Sequence, residues 1–118
     1  MPQPNDRSAL RDIQIQCGDI AEAVRGQDET SFLSDRMRTA AVERYLEVIG
    51  EATKRLSPTL RDAHPEVDWR GWAGLRDIVI HAYDQILQSE IWQVATVEAP
   101  VLASCVAGIL QVLDSAAE

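Results

Sequence analysis

A chain of 118 residues, 46% hydrophobic and 25% charged, is long enough for one compact domain and too short for two. Six glycines and five prolines exclude a collagen-like or low-complexity chain, so a single domain over residues 1–118 is expected. The net charge of -8 argues against broad, non-specific nucleic-acid binding, because lysine and arginine supply the attraction to a phosphate backbone.

Residues 1–6, Met-Pro-Gln-Pro-Asn-Asp, lack the basic and apolar regions of a signal peptide, and the cytoplasm is the expected location. From 8 to 25, Leu10, Ile13, Cys17, Ile20, Ala21 and Val24 recur three and four apart, the mark of an amphipathic helix, which Gly26 suits as an end. A second, longer helix starts after a Ser34 or Asp35 cap. Its buried stripe reads as Met37, Ala41, Tyr45, Val48, Ile49, Ala52 and Leu56, up to Ser57-Pro58.

Residues 58–68 form a connector with two prolines and one expected helical turn at 59–63, and Asp68 is placed to cap the next helix. Over 72–87, Leu75, Ile78, Val79, Ala82 and Ile86 again read as helix, and Ser89 offers a cap for a last helix from about Glu90 that Pro100 kinks or restarts. From Val101 to Leu113 only Ser104 and Gln111 interrupt the apolar residues. Such a helix needs cover on several sides, which a small monomer struggles to provide. The uncharged run from Ala99 to Leu113 is too short to span a bilayer, so no membrane is expected. The architecture expected is all-α, an up-and-down bundle of four to five helices, paired as a homodimer.

Cys17 and Cys105 sit in apolar periodic segments without CxxC spacing and read as reduced core thiols. Glu43, Glu47 and Glu51 have no Glu-x-x-His companion, and neither a glycine-rich phosphate loop nor a Cys/His zinc pattern is present; no metal and no cofactor are expected. Eight of the eleven basic residues fall between 36 and 76 and none beyond 76, so a polyanion must approach the middle of the chain. Within that span Arg36, Arg38, Arg44, Lys54 and Arg55 read as a solvated face, with some available to guide RNA. His64 reads as an exposed loop residue, and Trp69, Trp72 and Trp92 as core aromatics rather than base-stacking platforms.

The chemistry concentrates in 74–84, GLRDIVIHAYD. On a helix Asp77, His81 and Asp84 share one face, where a carboxylate orients the imidazole, and Arg76 aligns with Tyr83 on another. Arg76 and His81 stand about 140° apart, a separation that a two-fold pair of such helices removes by setting both residues from each chain along one groove. Histidine exchanges protons near neutrality and arginine matches phosphate geometry, a combination suited to cleaving RNA without a metal. On spacing alone, a histidine between two carboxylates is more often a salt-bridged surface group.

Arg76-x4-His81-x-Tyr83 resembles the Arg-x4-His-x-Tyr signature of HepT-like toxins, a branch of the HEPN ribonucleases. Residues 41–52 (AVERYLEVIGEA) resemble that family's second-helix segment, 65–69 (PEVDW) its connector and 89–92 (SEIW) the start of its last helical region. The likeness runs from about 40 to 113 in the family's order. Asp77 stands where asparagine is frequent in the superfamily, which makes the local charge less welcoming to RNA. The resemblance implies an endoribonuclease with Arg76 and His81 catalytic, Asp77 and Asp84 supporting, and both motifs of a dimer facing one cleft. It also implies a nucleotidyltransferase antitoxin as partner, silencing the toxin by transferring AMP to Tyr83. The alternative is a non-catalytic HEPN module that assembles with the nucleotidyltransferase.

Overall fold

The computed structural model describes residues 3–75 and 85–116. Among them the chain is helical, with no strand, and its apolar side chains form one continuous core.

Helix α1 (Pro4–Val24) begins one turn earlier than the apolar periodicity indicates. Pro4 at its first turn needs no hydrogen-bond acceptor, and the Asp6 carboxylate turns back to accept the Gln3 N–H at 2.8 Å. Leu10, Ile13, Cys17 and Ile20 form its buried stripe, as expected. Past its end Gly26 adopts φ 73°, the left-handed conformation that favours glycine.

A short helix that the apolar periodicity does not reveal, α2 (Glu29–Ser34), comes next. Asp28 and Ser31 cap it reciprocally: the Asp28 carboxylate accepts the Ser31 N–H at 2.7 Å and the Ser31 hydroxyl accepts the Asp28 N–H at 3.0 Å. Its one fully buried side chain, Phe32, packs its ring 5.1 Å from that of Trp92.

Helix α3 (Arg36–Lys54) is capped by Asp35, which accepts the Arg38 N–H. Its buried face is rotated from the expected stripe. Thr39, Val42, Leu46, Ile49 and Thr53 point inward, whereas Met37 is 86% exposed and Tyr45 only partly covered. The two threonines explain the difference: Thr39 donates its hydroxyl hydrogen bonds to the Phe32 and Asp35 carbonyls, and Thr53 to the Ile49 carbonyl, so both enter the core without an unmet donor. An Arg38 side chain bonded to the Ala23 carbonyl at 2.8 Å fixes the start of α3 to the end of α1.

The connector contains α4 (Pro58–Ala63), capped by Ser57, and α5 (Trp69–Ala73), capped by Asp68. Beyond the motif segment come α6 (Gln85–Gln93), a π-helical turn (Val94–Glu98) and α7 (Ala99–Ala116). Ser89 does not begin a helix; α6 runs through it. The irregularity lies at the π turn, where the Ala99 N–H reaches the Val94 carbonyl, five residues back. It immediately precedes Pro100, whose ring and missing N–H oppose a regular α-helical turn there.

Helix α1 packs against both α3 and α7, and α2 bridges α3 and α6. Arg7 donates to the Leu113 carbonyl, and Arg7 and Arg11 both pair with Asp114, so the two ends of the described chain are tied together. By length and a mean hydropathy of 1.7, residues Gln88–Ala116 suffice to cross a bilayer, but one side of that stretch, Ile91, Ala95, Leu102, Val106 and Ile109, lies in the core. The opposite side is open: Val97, Val101 and Val112 are 52%, 62% and 68% exposed.

Candidate active site

The expected site residues Arg76, Asp77, His81, Tyr83 and Asp84 lie outside the described residues. The structure defines the frame that leads into them. The Asp68 carboxylate accepts the Gly71 N–H at 3.0 Å, closing the first turn of α5. That carboxylate sits so close to the Gly71 Cα that a Cβ there would collide with it, which requires the glycine. Trp69, buried as expected, donates its indole N–H to the His64 carbonyl at 2.9 Å and fastens the connector to α5. Leu75, also buried, is the last described residue before Arg76.

His64 is partly exposed, and its Nδ1 lies 3.2 Å from Glu66 Oε1. The Glu66 carboxyl is held below its ordinary value, mainly by its own backbone N–H and then by His64. Trp72 and Trp92 pack partly buried against the core. Glu43, half-buried on α3, has its pKa pushed upward by burial.

An open groove of about 570 Å³ runs between α5 and the π turn with α7. Val67, Trp72, Leu75, Val97, Val101 and Cys105 give it an apolar lining, and Glu66, Asp68, Glu90 and Glu98 border it. Among the described residues no cation lines it. Acidic and apolar together, this surface repels a phosphate backbone and suits contact with protein. Cys105 belongs to the groove and is only half-buried, a correction to its reading as a core thiol. Cys17 is a core residue, and burial pushes its thiol up to about 11.

The basic face expected from the sequence is largely neutralised. Arg38 pairs with Asp35, Arg44 with Glu47, Lys54 with Glu51 and Arg55 with Asp12. Of that group Arg36 alone has no ion pair among the described residues. The sequence pattern did not single out Arg61 and Arg70, which also have none there and share a second, shallower pocket beside α5.

Comparison with known proteins fixes the family. The profile described as HepT-like ribonuclease matches residues 13–109, a span that includes both the frame and the motif. The chain belongs to the HepT-like ribonuclease family. Among its relatives, a protein named "Putative RNase" from Caldanaerobacter subterraneus subsp. tengcongensis is 38% identical over 105 residues, covering 89% of this chain and 94% of that protein. A protein of the same name from Methanocaldococcus jannaschii is 38% identical over 100 residues, 85% of this chain and 83% of its own. A "Probable ribonuclease HepT" from Thermococcus cleftensis is 37% identical over 91 residues, 71% of this chain and 83% of its own. No solved structure gives a significant match.

Proposed function

We propose that this HepT-like protein is a metal-independent endoribonuclease toxin, with Arg76 and His81 as its catalytic pair. The observation that carries the reading is the family match over 13–109, within which Arg76-x4-His81-x-Tyr83 stands intact. His81 takes the proton from a ribose 2′-hydroxyl, whose oxygen attacks the adjacent phosphorus. As that bond forms, the bond from phosphorus to the 5′-oxygen breaks, and the departing oxygen is protonated. Arg76 neutralises the charge that grows on the phosphate oxygens. The products are a 2′,3′-cyclic phosphate and a 5′-hydroxyl end. Asp77 and Asp84 support the imidazole.

The active form is a homodimer with both motifs bordering one cleft. Supporting this is the apolar outer face of α7 and the π turn, where three valines more than half exposed leave a hydrophobic surface that a second copy would cover. The partner is a nucleotidyltransferase antitoxin that silences the toxin by placing AMP on Tyr83. The cytoplasm is the compartment in which both RNA and ATP meet the protein.

The test is cleavage of RNA by the purified protein in excess chelator, with analysis of the ends. Cyclic phosphate and 5′-hydroxyl termini are expected; a strict dependence on added magnesium overturns the chemistry. If RNA is left intact while the protein still binds its nucleotidyltransferase, the non-catalytic module is the correct reading. The acidic border of the apolar groove favours that second reading, because it marks a surface built for protein.

A further inference from the structure

We infer that the shallow pocket between α4 and α5 is a subsite for a backbone phosphate of single-stranded RNA, gripped by Arg61 and Arg70. The inference rests on the ribonuclease reading and adds to it a place where substrate is held away from the reacting bond.

In a chain with a net charge of -8, a cation left without a carboxylate is informative. Among the described residues the lysine and the other arginines, Arg36 apart, are all ion-paired. Arg61 and Arg70 line one pocket of about 430 Å³, ample for a phosphate and its sugar. Arg61 Nε is buried and has no acceptor among the described residues, a donor withdrawn from water and waiting for a partner. Guanidinium groups suit phosphate particularly, because their planar fork matches two of its oxygens.

The nearby carboxylates do not fill that role. Asp68 is bonded to the Gly71 N–H at the start of α5. Asp6 attracts Arg61 electrostatically, but its oxygens are occupied by the Gln3 N–H, the Ser57 N–H and the Ser57 hydroxyl. Asp62 also borders the pocket and is exposed, with no bond to either arginine. The acidic groove adjoins this pocket at Val67 and Asp68, so an approaching polyanion is turned from the groove toward the arginines. Arg70 precedes Arg76 by six residues, so their backbones lie at most about 20 Å apart. One RNA strand of a few nucleotides is long enough to meet both.

The experiment measures binding of a labelled single-stranded 2′-O-methyl RNA, which lacks the attacking hydroxyl, to the full chain by fluorescence anisotropy at several salt concentrations. Arg70→Gln, an exposed change, and Arg61→Gln should each weaken binding, and the double variant by roughly tenfold at low salt. Loss of one phosphate contact should also reduce the slope of log K against log salt by about 0.7. Arg61→Lys keeps the charge without the fork and should fall between. Arg36→Gln, which removes an unpaired cation outside the pocket, should bind like the parent, and circular dichroism verifies that each variant is folded. Unchanged affinity and slope in folded Arg70→Gln overturns the subsite while leaving the ribonuclease reading in place. Absence of RNA binding and cleavage by the parent overturns both, and an equal loss in Arg36→Gln replaces the subsite with diffuse charge attraction.

Discussion

Asp6 and Ser57, 51 positions apart, form a paired cap in which one carboxylate governs two helix starts. Asp6 Oδ1 accepts the Ser57 N–H at 2.8 Å and Oδ2 the Ser57 hydroxyl at 2.7 Å, while the Ser57 oxygen in turn accepts the Leu60 N–H of α4. Asp6 is fully buried. Burial raises its pKa, but the hydrogen bonds from Ser57 and Gln3, with Arg61 nearby, outweigh that and hold the carboxyl below its ordinary 3.8. The folded state therefore binds this proton less readily than the unfolded one. Its contribution to stability is complete above the unfolded pKa and is lost as pH falls through the folded value. Asp6→Asn should cost about 1 to 3 kcal/mol near neutral pH. Denaturant titrations of both proteins from about pH 6 to about pH 2.5 should converge toward the acid end.

Thiol reactivity should separate the two cysteines. Cys17, buried and with its thiol pushed up to about 11, should resist iodoacetamide at mildly alkaline pH for as long as the protein stays folded, whereas half-buried Cys105 should be alkylated first. Peptide mass spectrometry after brief exposure reads the order directly. Protection of Cys105 that increases with protein concentration would show the groove being covered by a second copy.

Assembly through the outer face of α7 should be sensitive to a single charge. Val101→Asp places a carboxylate on a side chain already 62% exposed in one chain, so it should hardly alter the thermal midpoint of the isolated subunit. In a dimer that buries this face the unpaired charge is expensive, and sedimentation should show dissociation shifted by at least roughly tenfold. A variant that remains as dimeric as the parent would place the interface elsewhere.

Two substitutions should divide chemistry from regulation. His81→Ala should reduce RNA cleavage by about 10² to 10⁴ with helicity retained, the range for loss of a general acid or base. Tyr83→Phe should cleave at nearly the parental rate, yet gain no AMP when co-expressed with a nucleotidyltransferase partner. Intact mass spectrometry decides the second point, since the added AMP is absent if Tyr83 is its acceptor. Complete silencing of Tyr83→Phe without an adduct would mean inhibition by binding alone.

What the sequence made legible was local chemistry. Asp35 and Asp68 are readable as caps because the cap lies within three residues of the N–H it accepts, and the stripe of α1 because its apolar spacing is regular. Helix α2 is not readable: six residues carrying one buried Phe32 show no period. The true face of α3 is hidden because Thr39 and Thr53 count as polar in any pattern, while their hydroxyls satisfy carbonyls inside the core. The motif at 76–84 is identified by spacing and family likeness, and its residues lie outside the described ones. Arg61 and Arg70 can be distinguished only after tertiary structure has paired other cations with carboxylates as distant in sequence as Asp12 from Arg55 and Asp114 from Arg7.

The π-helical turn at Val94–Glu98 makes the length of the last helical stretch a fixed quantity. A π turn accommodates one residue more than an α turn over the same rise, so deleting a single residue from it would restore an α-helix and rotate everything downstream by about 100°. Leu102 and Val106 would then swing away from α1, and parts of the present outer face would turn inward. The Asp114 anchor for Arg7 and Arg11 would swing away with them. Relatives that differ in length by one residue within this turn should therefore have repacked the whole of α7, whereas length changes after Ala116 leave the phase untouched.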